Sequence, residues 1–168
     1  MEIDAATRRN LELVRTMNGT REGSLLSIVD RTVTGAGGRL FAARLSAPLT
    51  DAPAITARHD AVTWFLDSAR AREDVRARLR AAPDMDRALT RLTIGRGGPR
   101  DLGAVRDGLS VAVDLRALLE ASSDLPADTA IATQDIGFHR PLIDRLGCAL
   151  ADELPLISRD GGFIRDGY

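Results

Sequence analysis

The sequence predicts an all-α fold, an irregular bundle of several helices with a small β-hairpin near the C-terminus. Apolar side chains recur at about 3.6-residue spacing along most of the 168 residues, and polar capping residues or prolines stand where these stretches begin. Near the C-terminus, Asp160 and Gly161 separate two short apolar stretches, residues 156–159 and 162–165. An Asp-Gly pair favours the positive φ angles of a two-residue turn, which predicts the hairpin.

The helices are expected in the following order, each with its own start or stop signal. Ser24, Asp51 and Asp84 are suited to cap the first turn of the helices that follow them, and Pro83 ends one of the stretches. A glycine cluster at residues 34–39 that leads into a helix is interpreted as a tight turn with close helix packing; a phosphate-binding turn is the alternative, but no predicted strand precedes it. The expected helices are residues 25–31, 38–46, 51–69, the stretch up to 82, 84–94, 99–121 and 141–151.

The longest helix is expected from about Pro99 to about Ala121, followed by a polar loop over residues 121–129. Its acidic and basic side chains are expected mostly outside the buried face: Asp101, Arg106, Asp107 and Asp114. The buried face is formed by Leu102, Val105, Leu109, Ala112 and Val113.

Composition excludes several functional classes. All 23 cationic side chains are arginine, so the chain has neither the lysine of a phosphate-binding P-loop nor an amine for Schiff-base catalysis. The formal net charge of −1 argues against a surface that coats nucleic acid generally. Uncharged stretches are too short for a transmembrane helix, and a lone Cys148 suits a reducing compartment, so we expect a cytoplasmic protein.

Few residues suggest chemistry on their own. A hydrolase or metal site built from Asp135, His139 and Cys148 is conceivable, but the spacing matches no metal-binding or nucleophile motif. His59 lies beside the apolar face of its helix, which favours a structural role. Arginine clusters at residues 8–9 and 76–80 leave a second class open, a standalone arginine-rich helical protein that binds nucleic acid or acts as an adaptor.

Several segments resemble the core domain of the MutS family of DNA mismatch-repair proteins. Residues 4–13 resemble the opening of that domain nearly letter for letter, and residues 159–168 resemble its "R-D-G-G-x-I-x-x-G-Y" segment, which precedes a long lever helix. Arg44 stands where the family often has tryptophan, and residues 121–136 carry little family signal. The intervening matches are residues 24–34, 38–58, 84–92 and 95–102.

The resemblance implies that residues 1–168 form the first segment of that core domain. In this family a dimer encircles DNA, a Phe-x-Glu wedge enters the mismatch, and an ABC-type ATPase converts the protein into a sliding clamp. None of the four phenylalanines is followed by x-Glu, and lysine is absent. The wedge, lever, clamp and ATPase, with its ATP and magnesium, are therefore expected outside this chain, which itself is expected to be neither an enzyme nor a cofactor carrier.

The same resemblance suggests residues that couple the ATPase to the DNA clamp. Charged residues and glycines within the strongest family segments have no catalytic duty here, so we interpret them as junctions between domains. The alternative is that they cap helices and pair locally. The candidate residues are Arg8, Arg9, Asn10, Gly38, Arg39, Pro99, Arg100 and Asp101.

Overall fold

The computed structural model describes residues 4–168, and every regular element in that range is helical apart from one isolated β-bridge. The all-α prediction is therefore confirmed. The helices are α1 (Ala5–Asn10), α2 (Leu25–Val29), α3 (Gly35–Ser46), α4 (Ala52–Asp67), α5 (Ala69–Ala81), α6 (Met85–Thr93), α7 (Pro99–Glu120), α8 (Ala127–Gln134) and α9 (Arg140–Ala149), followed by a 3-10 turn at Ser158–Asp160.

Side-chain caps explain where most of the early helices begin. An oxygen of the capping residue accepts a hydrogen bond from the backbone amide three residues later, which satisfies one of the free amides of the first turn. The three predicted caps are confirmed, and two more occur. The cap-to-amide pairs are Asp4 with Thr7, Ser24 with Ser27, Thr34 with Gly37, Asp51 with Ala54, and Asp84 with Arg87.

The cap at Thr34 corrects the interpretation of the glycine cluster. The Thr34 hydroxyl accepts from the Gly37 amide at 2.9 Å, so α3 begins at Gly35 and the glycines form its first turn rather than a separate turn. A Cβ atom on Gly37 would lie 2.8 Å from the Thr34 hydroxyl oxygen. Glycine is therefore needed here for the side-chain cap, and the glycine-rich composition hid the helix start.

Two helices, α1 and α8, were not predicted from periodicity. All residues of α1 are exposed, so it has no apolar stripe to read. Helix α8 begins immediately after Pro126, inside the stretch expected to be a loop over residues 121–129. The loop is therefore shorter than predicted, because a proline can precede a first helical turn as readily as it can end one.

The predicted C-terminal β-hairpin is wrong. Asp160 closes a 3-10 turn with Ile157 instead of adopting the left-handed conformation of a two-residue turn, and Gly161 and Gly162 have φ angles of 67° and 68°. The following segment bridges a different partner: Leu150 pairs antiparallel with Ile164. Two backbone bonds, from the Ala151 amide to Phe163 and from the Arg165 amide to Ala149, complete this contact at 2.9 and 2.8 Å.

Helix α7 is the centre of the molecule and packs against α5, α6, α8 and α9. Glycines of α7 allow neighbouring side chains to approach the helix closely. A Cβ atom on Gly108 would lie 2.5 Å from the Met85 sulfur of α6, and one on Gly103 would lie 2.5 Å from a methyl carbon of Leu154. Close contacts at these glycines therefore join α7 to α6 and to the segment after α9.

The surface of the chain is large for its mass. The accessible area is 11260 Å² for 18.0 kDa, whereas a compact monomer of this mass exposes about 8,000 Å². Large apolar side chains that are more than half exposed are Leu11, Met17, Ile28, Leu40, Val62, Leu66, Ile94, Ile131, Phe138, Leu156 and Tyr168. Within residues 4–168, no helix combines the length and apolar character needed to cross a membrane.

Candidate functional site

Arg39 joins α3 to the start of α6. Its two terminal nitrogens each donate to a carboxylate oxygen of Asp84 at 2.8 Å, and one of them also donates to Asp86 at 2.9 Å. A forked guanidinium bond of this kind fixes direction as well as distance. Because α3 has no buried residue, this polar contact makes a large contribution to its position.

Local sequence explains why these groups meet. Thr34 caps α3, which places Arg39 at the start of the second helical turn. A Cβ atom on Gly35 would lie 2.9 Å from an Asp84 carboxylate oxygen, so the absence of a side chain lets Asp84 approach the helix end. Gly38 lies close to the segment that precedes α3, since a Cβ there would lie 3.2 Å from the Thr32 hydroxyl.

Asp84 is strongly stabilised as a carboxylate. The hydrogen bonds from Arg39 are the largest cause, and together with the Arg87 amide and the nearby guanidinium charges they lower the pKa of Asp84 to about 2, although desolvation works in the opposite direction. Asp84 is also the N-cap of α6. One carboxylate therefore both begins α6 and holds α3.

A second ion pair lies at the other end of α6. Arg91, in the last turn of α6, donates to the carboxylate of Asp101 in the first turn of α7. The other Asp101 oxygen accepts from the Gly98 amide at 3.0 Å. The bond from Arg91 is the main reason that the pKa of Asp101 is lowered.

Asp101 is the clearest departure from the predicted faces of α7. It was expected mostly outside the buried face, yet it is only 8% exposed. Burial of this carboxylate is tolerated because both of its oxygens have hydrogen-bond donors and Arg91 balances its charge. The periodicity argument placed Asp101 outside the buried face because such an argument takes charged residues to face solvent. It contains no information about a partner ten positions away.

The residues beside Asp101 hold the start of α7 against the segment that follows α9. Pro99 is fully buried at the first position of the helix. The Arg100 Nε atom donates to the Leu154 carbonyl at 3.0 Å. A Cβ atom on Gly98 would lie 2.8 Å from the Leu156 carbonyl oxygen, so glycine is required for that close backbone approach.

We call the series Arg39, Asp84, helix α6, Arg91 and Asp101 the α6 bridge. It connects five of the eight candidate residues: Gly38 and Arg39 lie at its first end, and Pro99, Arg100 and Asp101 at its second. The sequence did not indicate Arg91 as an ion-pair partner. Asp84 was expected to cap a helix and to pair with the arginines at residues 76–80, whereas the structure pairs it with Arg39, an arginine 45 positions away that no local pattern predicts.

Arg8, Arg9 and Asn10 lie elsewhere. They are exposed on α1, and within residues 4–168 none of them makes an ion pair. Arg8 and Arg9 line a separate cavity of about 370 Å³ together with Leu13 and Met17. The structure therefore does not bring this group to the α6 bridge.

The conceivable hydrolase or metal site is not assembled. His139 precedes α9 and Cys148 lies nine residues later near its end, a separation of about 13 Å along the helix axis. The neighbour of Cys148 is Tyr168, whose pKa is raised mainly by a hydrogen bond with the thiol. Across residues 4–168, no three histidine, cysteine or acidic side chains cluster as metal ligands.

Comparison with known proteins decides the family. A family model described as MutS domain III matches residues 6–166. The chain belongs to the MutS domain III family. This match covers both ends of the α6 bridge and nearly the whole of the described structure, and it confirms the resemblance seen in the sequence.

Curated relatives of this MutS domain are longer proteins. Over the whole chain, the DNA mismatch repair protein MutS of Nitrobacter winogradskyi is 56% identical, that of Rhodopseudomonas palustris strain BisB5 is 56% identical, and that of Azorhizobium caulinodans is 52% identical. The chain spans 19%, 18% and 18% of their respective lengths. It thus matches about a fifth of each relative.

Proposed function

We propose that this domain acts within a longer mismatch-repair protein as a non-catalytic coupling element, in which the α6 bridge carries displacement between the ATPase and the DNA clamp. The observation that carries the proposal is the bridge itself. Each end of one short helix is joined to a different neighbouring helix by a charge-assisted hydrogen bond. Partners in this proposal are the other domains of the longer chain and, through them, mismatched duplex DNA and a second copy in a dimer.

The physical basis is that a helix transmits a rigid-body movement better than a loop. Helix α6 has nine residues and spans about 13 Å, a distance that its internal hydrogen bonds keep constant. Movement of α3 pulls Asp84 through the forked Arg39 contact, and Arg91 passes the movement to the start of α7. Coupling of this type needs two alternative arrangements that ATP and DNA favour differently.

In this proposal, ATP binding and hydrolysis take place in regions outside these 168 residues. ATP and magnesium sites of the P-loop type use a lysine, and the chain contains none. About four-fifths of the length of the relatives lies outside the matched region, which leaves room for such a site.

The alternative of a standalone arginine-rich nucleic-acid-binding or adaptor protein receives less support. A phosphate-binding surface requires guanidinium groups that are free to face the nucleic acid. Arg39, Arg91 and Arg116 are instead held by acceptors within the protein, and Arg76 donates to the Arg31 carbonyl. Binding of random duplex DNA by the 168-residue chain at physiological salt, with a steep salt dependence, would favour this alternative.

The coupling proposal is tested in the longer protein by Arg39→Met and Asp101→Asn. Both changes remove an end of the α6 bridge while keeping side-chain volume. We expect ATP-driven release of mismatched DNA to slow at least fivefold, with nucleotide affinity and mismatch affinity within twofold of the unchanged protein. Arg70→Met is the control, because Arg70 is 97% exposed and lies outside the bridge. Unchanged release by both bridge variants would refute coupling through these residues.

A further inference from the structure

An apolar groove lies between α3, α4 and α8. It is lined by apolar side chains from all three helices and has a volume of about 820 Å³. The apolar lining comprises Phe41 and Leu45 of α3, Ala61, Val62, Phe65 and Leu66 of α4, and Ala132 of α8.

The groove exposes large apolar side chains to solvent in this chain. Val62 is 58% exposed and Leu66 is 66% exposed. They stand four residues apart on one face of α4, which is the spacing at which a helical partner inserts side chains. A continuous apolar surface of this kind marks a site of contact with another structural element.

The rim of the groove is positively charged. Arg44 of α3 and Arg58 of α4 line it, and neither makes an ion pair or hydrogen bond with a group in residues 4–168. Arg72 also lines it, with its guanidinium bound to the carbonyls of Phe65 and Leu66. Asp128 is the one carboxylate of the lining, so the rim has an excess of unbalanced positive charge.

We propose that this groove binds an acidic amphipathic helical segment of the same longer polypeptide, located outside residues 1–168. The segment presents apolar side chains at i, i+3 or i+4, and i+7 to Val62 and Leu66, and carboxylates to Arg44 and Arg58. This inference rests on the proposed function in one respect, that the domain works within a longer chain.

Charge and length both favour that occupant over a second copy of this domain. A second exposed apolar cavity, beside Leu13 and Met17, is lined by Arg8, Arg9 and Arg15. Docking it into the groove would bring arginines against Arg44 and Arg58, which is unfavourable. The matched relatives, by contrast, contain about four-fifths of their length outside the region equivalent to this chain.

The test is photo-cross-linking in the longer protein, with Val62 replaced by p-benzoylphenylalanine. We expect a cross-link within one polypeptide to an acidic amphipathic segment outside residues 1–168. The matched control replaces Asp60, which is exposed on the same helix but about 160° around its axis from Val62. Cross-linking between two copies, cross-linking to a different protein, or a yield no higher than that of the control would each overturn the proposal.

Charge reversal provides a second measurement. Arg58→Glu combined with Arg44→Glu is expected to reduce the cross-link yield at least fivefold, whereas Arg70→Glu, at an exposed position of α5, is expected to leave it unchanged. An undiminished yield in the double variant would overturn the proposed carboxylate contacts. Cross-linking does not depend on ATP or DNA, so it tests the groove separately from coupling. If the α6 bridge variants release DNA normally and Val62 still cross-links as expected, the coupling proposal is rejected and the groove proposal stands.

Discussion

A single guanidinium, that of Arg39, forms the polar connection between α3 and α6. Its forked bond to Asp84 is partly shielded from solvent, since the two side chains are 36% and 28% exposed. Fully exposed pairs contribute little to stability, whereas bonds to shielded charges contribute more. Arg39 therefore has a structural effect that can be measured apart from any role in coupling.

For Arg39→Met, we expect the free energy of unfolding of the chain to fall, and by more than for a substitution of a fully exposed arginine, because Asp84 and Asp86 lose charge-assisted hydrogen bonds. Amides of α3 should also exchange faster with deuterium. Urea unfolding and hydrogen exchange measure the two effects. Arg70→Met should change the free energy of unfolding by less than about 0.5 kcal/mol, and an equal effect of both substitutions would contradict this account.

The pH dependence of stability at Asp84 has a defined sign. Its pKa is lowered from 3.8 to about 2, so its stabilising contribution is fully present above about pH 4 and disappears as the pH falls through 2. Asp84→Asn should therefore flatten the loss of stability between pH 4 and pH 2, measured by urea unfolding across that range. Asp60→Asn, at an exposed position, should leave the slope unchanged; equal slopes in all three proteins would be inconsistent with the lowered pKa.

The sequence identified some residues of the α6 bridge but not the contacts between them. Arg39 and Asp101 were identified as candidates through family resemblance, which supplies no contacts. Their partners Asp84 and Arg91 are set by the packing of α6 on α7 and of α3 near α6. The burial of Asp101 follows from that packing, so it could not be read from the local sequence.

At the scale of elements, caps and apolar periodicity together located the main helices. The capped helices α4 and α6 have both signals, the long helix α7 has an apolar pattern and a proline at its start, and all three were predicted closely. Helix α1 has a cap without an apolar stripe, and the Asp160-Gly161 turn signal lacked a long enough pair of strands to enforce it. Elements with a cap or turn signal but no sustained apolar pattern were therefore missed or wrong.

Substitution of two of the helical glycines, Gly108 and Gly147, is expected to have opposite effects on stability. Gly108 faces the Met85 side chain at short range, whereas a Cβ on Gly147 of α9 meets nothing within 4 Å. We expect Gly108→Leu to lower the free energy of unfolding by about 1–3 kcal/mol through overpacking. Gly147→Ala should raise it by about 0.5–1 kcal/mol through helix propensity. Chemical unfolding of both variants checks the signs, and a stabilising Gly108→Leu would contradict the close α6–α7 packing.

At the scale of the whole molecule, the small core and the large surface fit the proposal that the domain works within a longer polypeptide. Only six apolar residues within the described range are buried, while many large ones are exposed. A domain that packs against neighbouring parts of a longer polypeptide has this distribution, because faces that are exposed in the separate chain become internal contacts. The family and the limited share of each relative agree with this explanation.

Side chains on these faces should contribute little to the stability of the 168-residue chain. We expect Leu66→Gln, at a position that is 66% exposed, to change the free energy of unfolding by less than about 0.5 kcal/mol. Leu26→Ala, at a position that is 3% exposed, should lower it by about 2–5 kcal/mol. Thermal or urea unfolding distinguishes them, and a large loss for Leu66→Gln would show that the groove is already filled in this chain.

The central claim, that α6 connects two junctions in series, is tested most directly by a double-mutant cycle in the longer protein. Arg39→Met, Arg91→Met and the double variant are compared by the rate of ATP-driven release from mismatched DNA. If one mechanical path runs through both ends of α6, either single change interrupts it, and the double variant should release DNA no more slowly than the slower single variant. Strictly multiplicative slowing in the double variant would contradict the account, because it would show that the two junctions act independently.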